Sequence, residues 1–291
     1  MGADTRRLLA AGGLDPAGVQ VLVDRALAED LDGGLDVTSV ATIPFDAEGS
    51  AVFVPRREGV LAGLAIAAAV MQSAGDDDVL LEFLAADGDL IAPGQPLLRV
   101  RGLLRTMLTA ERTALNLLGH LSGVASLTRT WAAACAPAKV RDTRKTTPGL
   151  RAIEKYAVRC GGGVNHRLSL SDAALIKDNH VLAAGGVAAA YAAVRSTFPD
   201  LPVEVECDTV AQVREALGAG VDLILCDNMV LADLRAAVEL ARDAGVRTEA
   251  SGGLTLDSAR AIAATGVDFL AVGALTHSAP VLDIGFDLER P

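Results

Sequence analysis

Apolar positions recur along this chain in two rhythms, and the change from one to the other divides it. In the first third the pattern is mixed. Asp15-Pro16 reads as an N-cap and a first helical residue, opening an amphipathic helix to about Asp30. Short alternating or β-branched runs at Ala51–Val54, Val79–Leu84 and Leu97–Val100 predict strands, with an Ala-rich helix near Leu64–Ala74. Asp87-Gly88-Asp89 and Pro93-Gly94 punctuate them as structural turns; the segment resembles a carrier-domain hairpin but holds no lysine to carry a group. A long helical stretch follows from Leu103 to about Ala134, with an interruption predicted at Gly123. It sets Arg112, Asn116 and His120 on one face at i, i+4 and i+8.

From Lys139 the rhythm becomes strand then helix, repeated. Strands are predicted at Ala138–Asp142, Ala174–Lys177, Val203–Glu206, Leu223–Cys226, Arg247–Ala250 and Phe269–Val272. The alternation predicts a parallel α/β barrel of the TIM kind, complete or incomplete, behind a smaller α+β N-terminal domain. The expected division is residues 1–111 for the first domain and 112–280 for the barrel, with a tail at 281–291 packing back on the first domain. A barrel places its chemistry on the loops that follow the strands. Asp142 through Lys145, Lys177, Glu206, Asp227, Ser251-Gly252-Gly253 and Gly273 all fall there. Glu204 and Glu206, two apart, project from one face of their strand, where carboxylates need cations or a metal beside them.

Composition narrows the classes. The chain has 291 residues, 51% of them hydrophobic and 3% aromatic, enough for a large aliphatic core and against disorder. Its longest apolar stretch, Gly59 to Met71, is too short for a membrane span, and no secretory signal follows Arg6-Arg7. The expectation is a cytoplasmic protein. Four cysteines without metal or redox spacing read as buried thiols. A formal net charge of −11 argues against nucleic acid as a partner. Yet all four lysines, Lys139, Lys145, Lys155 and Lys177, lie between positions 139 and 177, a window with nine Lys/Arg against three Asp/Glu. That concentration predicts a pocket for a small, highly charged anion.

The basic pairs Arg144-Lys145 and His166-Arg167, with Lys177, suit a dicarboxylate and a phosphate: arginine offers a planar fork, lysine a point charge. Glu206 and Asp227, at successive strand ends, could hold Mg²⁺ directly or through water. Ser251, Gly252 and Gly253, before a helix, and Gly273, after the next strand, leave backbone N–H groups open to a phosphate. Simple tight turns and surface solvation are the rival readings of the same residues. His180 and His277 read as structural hydrogen-bonders.

The runs DTRKTTPGLR (142–151), NHRLSLSDAALIKDNH (165–180), VEVECD (203–208), LILCDNM (223–229), EASGG (249–253) and VGALTHSAPVLDIGFDL (272–288) resemble the quinolinate phosphoribosyltransferase family, the carboxylating nicotinate-nucleotide pyrophosphorylases. So do DVTS (36–39) and AERTALNLLGHLSG (110–123). The resemblance implies transfer of phosphoribosyl from its pyrophosphate to quinolinate, with loss of CO2, in NAD biosynthesis. It implies that Arg144, His166 and Arg167 contact the pyridine dicarboxylate beside Lys145 and Lys177. Glu206 and Asp227 would serve the ribose hydroxyls and Mg²⁺, and Ser251, Gly252 and Gly273 the 5′-phosphate. It further implies a homodimer, or a higher assembly, in which Arg112 reaches the neighbour's site. Ser169 stands where many members have glycine, which would place a hydroxyl beside Arg167. Lys145 is the nearest candidate to protonate the ring after decarboxylation. Other classes to be weighed are a paralogous phosphoribosyltransferase-like enzyme with another substrate, a non-catalytic pyridine or phosphate sensor, and an aldolase-type barrel with a Schiff-base lysine at Lys145 or Lys177.

Overall fold

The computed structural model describes residues 1–75 and 79–289 and divides into two compact units. One comprises residues 1–127, 147–162 and 278 onward; the other comprises 128–146 and 163–277.

The first unit begins with helices α1 (Ala3–Ala11), α2 (Pro16–Leu31) and α3 (Val37–Thr42). Asp15 caps α2 by accepting from the N–H groups of Ala17 and Gly18, so the Asp-Pro pair starts the helix for the reason read from the sequence. Asp36 does the same for α3. Strands β1 (Glu48–Pro55), β3 (Leu80–Phe83) and β5 (Leu98–Leu103) form an antiparallel sheet, while β2 (Gly59–Val60) pairs with β4 (Leu90–Ile91). The outer edge of β1 is covered by the late strand Ile284–Leu288, in register from Ala51 opposite Leu288 to Pro55 opposite Ile284. Helix α4 (Leu64–Ser73) is buried along eight consecutive residues, and Asp87 accepts from the N–H groups of Gly63 and Leu64 at its start. The Asp87 turn thus works as a helix cap supplied from elsewhere in the chain.

Helix α5 (Leu104–Cys135) is continuous, which corrects the interruption expected at Gly123. The glycines serve packing instead. A Cβ on Gly123 would lie 2.1 Å from the Pro280 carbonyl oxygen, and one on Gly119 would lie 2.9 Å from that of Leu282. Leu282 N–H donates to Gly119 O at 3.0 Å, so the 280–282 strap lies directly on the helix. His120 on α5 meets Glu154 of α6 (Arg151–Cys160) at 2.9 Å; Glu154 is fully buried and also accepts from the Thr147 N–H.

The second unit is built on six parallel strands: β6 (Lys139–Arg141), β7 (Ala174–Ile176), β8 (Val203–Cys207), β9 (Leu223–Asp227), β10 (Arg247–Ser251) and β11 (Phe269–Ala271). All six coincide with predicted strands. Their spatial order is β7-β8-β9-β10-β11-β6, so the first strand in the chain returns beside the last and the sheet curls. Val164 adds a parallel bridge to Arg141 beyond β6, and among the described residues no ladder joins that edge to β7. The architecture is therefore a parallel α/β barrel that is not fully closed. Val205, Ile224, Ala250 and Leu270, on adjacent strands, are almost wholly buried, as strands covered on both faces require. Between the strands run α7 (Asp178–Ala184), α8 (Val187–Thr197), α9 (Val210–Ala219), α10 (Leu231–Asp243) and α11 (Leu256–Ala263), and the short α12 (Ala274–His277) follows β11. No helix of the described residues is long and apolar enough to cross a membrane.

Candidate active site at the strand ends of the barrel

A cavity of about 600 Å3 opens where the six strands end. Four cations line it: Arg144 and Lys145 from the segment after β6, Arg167 from the segment before β7, and Lys177 from the end of β7. Opposite in charge are Glu206 at the end of β8 and Asp227 at the end of β9. Lys177 Nζ stands 3.0 Å from Glu206 Oε2 and draws the two sets together. Ser251, Gly252 and Gly253 close the cavity beside β10.

The cations are held in tension. Arg167 donates from Nη1 to the Ala173 carbonyl at 2.9 Å, and burial, followed by the neighbouring Arg144 charge, pulls its guanidinium below the usual value. Arg144 Nε is buried and makes no hydrogen bond within the protein. Two forked cations that repel each other, one with an unused donor, form an arrangement that an anionic ligand would relieve.

Beside them lies a buried ionic cluster. The Arg167 backbone N–H donates to His166 Nδ1 at 2.8 Å, so a neutral ring carries its proton on Nε2. Nε2 is 2.8 Å from Glu204 Oε2 and 3.7 Å from Glu249 Oε1. Glu249 is paired in turn with Arg141, across the inside of the curled sheet. Asp142, fully buried, accepts from the His166 backbone N–H at 2.8 Å and from the Asn165 amide, fixing the entry of this segment. His166 is thus brought to the cavity, as the sequence predicted, but with both ring nitrogens facing groups of the protein.

Glu206, Asp208 and Asp227 each offer a carboxylate oxygen, all within 4.8 Å of one another. An all-oxygen acidic set of this kind suits Mg²⁺, a hard cation that keeps several waters beside one or two carboxylates. Asp208 was not singled out in the sequence, although its spacing of two from Glu206 repeats the Glu204–Glu206 interval. Asn228, also missed, shapes the Ser251-Gly252-Gly253 loop. It adopts φ +52°, donates its backbone N–H to Ser251 O at 2.9 Å, and lies where a Cβ on Gly252 would come within 2.2 Å of its Oδ1. With Gly252 at φ +89°, glycine is required there both for conformation and for space. Glu249 was quoted only as part of a run, yet its spacing of two from Ser251 points the same way.

Other predicted residues lie elsewhere. Gly273 does not line the cavity; its missing side chain makes room for Lys145 Cδ and His277 Nε2, at 3.1 and 3.2 Å from a hypothetical Cβ. Of the four clustered lysines, only Lys145 and Lys177 line the cavity. Lys139 is exposed at the opening of β6, and Lys155 is fully buried in the first unit. Arg112 and Asn116 are exposed on α5 in the first unit. His180 accepts the Lys177 N–H through Nδ1 at 2.9 Å and so caps α7. The Ser169 hydroxyl meets Ser171 at 2.9 Å and Asp172 at 3.3 Å, and the Asp172 charge acts in turn on Arg167. Asp172 also accepts the Leu168 and Ser169 N–H groups, gathering the hydroxyls into a small turn. The four cysteines are free, and burial pushes the Cys207 and Cys226 thiols up to about 12.

An α/β barrel with a cationic cleft, an acidic oxygen set and a glycine loop at its strand ends defines an enzyme of the phosphate-ester-handling barrel class. The chain belongs to the quinolinate phosphoribosyl transferase family: the model of its N-terminal domain matches residues 36–122, and that of its C-terminal domain matches residues 124–287. Among curated relatives, the nicotinate-nucleotide pyrophosphorylase [carboxylating] of Mycobacterium leprae is 51% identical over 271 residues, covering 91% of this chain and 95% of that protein. The solved nicotinate-nucleotide pyrophosphorylase of Francisella tularensis is 37% identical with a TM-score of 0.89, covering 94% of this chain and 96% of that one. NadC from Streptococcus pyogenes is 38% identical, also with a TM-score of 0.89, and the match covers 95% and 99% of the two chains.

Proposed function

We propose that this chain catalyses the decarboxylating transfer of phosphoribosyl from phosphoribosyl pyrophosphate to quinolinate, giving nicotinate mononucleotide, pyrophosphate and CO2 for NAD biosynthesis. The observation that carries the reading is the opposition of Arg144, Lys145, Arg167 and Lys177 to Glu206 and Asp227 in one cavity, with Asp208 beside the two acids. The cations suit a dicarboxylate and a diphosphate; the acids suit ribose hydroxyls and a hard cation. A sensor of pyridines or phosphates would have no need of the acidic set. The names of relatives such as the Mycobacterium leprae protein support the same reaction.

In this reading Arg144 and Arg167 fork the two carboxylates and hold the pyridine nitrogen toward C1 of the ribose. The N–C1 bond forms as the bond to pyrophosphate breaks, and Lys145 and Lys177 neutralise departing charge. The ring nitrogen is then cationic. It stabilises the electron pair that stays on the adjacent carbon as CO2 departs, and that pair then takes a proton, for which Lys145 is the candidate donor. Glu206, Asp208 and Asp227 would hold Mg²⁺, directly or through water, which when bound supplies neutralisation of diphosphate charge. The Ser251-Gly252-Gly253 loop receives the 5′-phosphate through backbone N–H groups.

The test is an assay with quinolinate, phosphoribosyl pyrophosphate and Mg²⁺ that follows CO2 and nicotinate mononucleotide together, with nicotinate as a parallel substrate. One-to-one products from quinolinate and none from nicotinate are expected; silence with quinolinate from folded protein would refute the reading. Lys145→Ala should slow turnover at saturating substrate, and unchanged kcat would remove Lys145 as proton donor.

The working form in this reading is a cytoplasmic homodimer in which Arg112 completes the neighbour's site. Arg112→Ala and Arg144→Ala should each keep only a few per cent of wild-type activity or less when assayed alone, about 2 kcal/mol or more being lost. Mixed and reassociated, they should recover about a quarter of wild-type activity, since half the dimers would carry one intact site of two. No recovery on mixing would show that Arg112 serves its own subunit or none.

A further inference from the structure

Lys145 lines the cavity and carries two roles in the proposed reaction, yet no side chain aims its ammonium. Lys177 is held by Glu206 at 3.0 Å, whereas among the described residues no carboxylate pairs with Lys145. A lysine is a point charge on a flexible four-carbon stem, so its aim depends on how its backbone and stem are fixed. Three contacts fix them. The Lys145 N–H donates to Thr143 Oγ1 at 2.9 Å, tying the turn after β6 on one side. The aliphatic stem runs over Gly273, where a Cβ would come within 3.1 Å of Lys145 Cδ. On the other side the Lys145 carbonyl accepts the Thr276 hydroxyl at 2.9 Å, from 131 positions along the chain.

Thr276 is 1% exposed and Leu275 beside it is fully buried, so the short α12 gives the hydroxyl a fixed base. A threonine in a helical turn commonly turns its hydroxyl onto a carbonyl three or four residues back, and Thr276 Oγ1 does lie 3.2 Å from Gly273 O. That carbonyl already accepts the N–H groups of Thr276 at 3.1 Å and His277 at 3.4 Å. The hydroxyl has one proton, and the shorter contact, to the Lys145 carbonyl, takes it.

We infer that Thr276 is a positioning residue: its hydroxyl ties the Lys145 carbonyl to α12 and so aims the Lys145 ammonium into the cavity. This rests on the reading of Lys145 as the group that neutralises departing diphosphate charge and protonates the ring. Without the hydroxyl the Lys145 backbone loses one of its two ties, and the ammonium spreads over many positions.

The experiment is a double-mutant cycle read in kcat at saturating quinolinate and phosphoribosyl pyrophosphate. Thr276→Val keeps the shape without the hydroxyl and should lower kcat about 10- to 100-fold, the cost of a misplaced catalytic group. Thr276→Ser keeps the hydroxyl without the methyl and should stay within about threefold of the wild type. A merely packing role reverses that order, since serine leaves a methyl-sized gap and valine does not. On the Lys145→Ala background, Thr276→Val should cost less than about twofold more, because the group it aims is gone. Full additivity, or a valine variant as active as the wild type, would overturn the inference. Should Thr276→Val fail to fold, Thr276→Ala set against Thr276→Ser isolates the hydroxyl, and equal kcat in those two would overturn it as well. A second measurement needs no turnover. The chain has four lysines, so selective ¹⁵N-lysine labelling gives four backbone amide signals, that of Lys145 being the one lost in Lys145→Ala. Its order parameter should drop from about 0.85 in the wild type and Thr276→Ser to below about 0.6 in Thr276→Val. A Lys145 amide equally rigid in all three would sink the inference whatever the kinetics, whereas the drop in a protein whose wild type is silent toward quinolinate would refute the choice of substrate and leave Thr276 as the anchor of Lys145.

Discussion

Replacing Arg144 by alanine is expected to cut kcat/KM for quinolinate by about 30-fold to several thousand-fold, the equivalent of about 2–5 kcal/mol for truncating one partner of a buried hydrogen-bonded charge pair. Arg144 combines a buried Nε lacking a protein acceptor with a like-charged neighbour in Arg167. Both features cost folding free energy that only an anionic ligand would offset. The same variant should therefore fold at least as well as the wild type and melt no earlier. Arg144→Lys should not restore activity, since an ammonium cannot fork a planar carboxylate. Steady-state kinetics alongside thermal melting separate the two effects. Activity within about threefold of wild type, where a dicarboxylate contact worth more than about 1 kcal/mol had been removed, would place the dicarboxylate elsewhere.

The second large effect is on stability. Gly123→Ala should destabilise the protein by about 1–3 kcal/mol even though alanine is the better helix former by about 1 kcal/mol. The added methyl would lie 2.1 Å from the Pro280 carbonyl oxygen, so the 280–282 strap must lift from α5. Lifting it strains the Leu282-to-Gly119 hydrogen bond and uncovers Leu282, which is 9% exposed. Urea unfolding would measure the loss. A more stable Gly123→Ala protein would mean that the strap does not seat on the helix in solution.

These two residues mark where sequence reading succeeded and failed. Arg144 was legible because its chemistry is local: a forked cation next to Lys145, just past a predicted strand. The six barrel strands were legible for a similar reason, since buried parallel strands are short apolar runs bounded by turns, whatever their partners. Asp15 and Pro16 announced their helix through groups two and three residues away. Gly123 was misread because glycine has two uses, bending a helix and admitting a neighbour, and only the neighbour's position tells them apart. Pro280 lies far along the chain. Lys155 was counted with the pocket cations because charge density along a sequence carries no direction; in the fold its side chain is buried in the other unit. Asp208 and Asn228 were overlooked because each takes its place through a spatial relation: Asp208 through its distance to Asp227, Asn228 through a backbone bond to a loop on the next strand.

The strand Ile284–Leu288 has a consequence for how the molecule is made. It covers an edge of β1, and the hydrogen bond from Ser50 to Glu289 spans 239 positions. During synthesis the barrel's six strands are complete before the N-terminal sheet receives its last one. Until then β1 presents a bare row of backbone donors and acceptors, open to pairing with another growing chain. Chain elongation therefore acts as a timer: the barrel can assemble while the first unit waits, and crowded polysomes are where this protein is most exposed to aggregation.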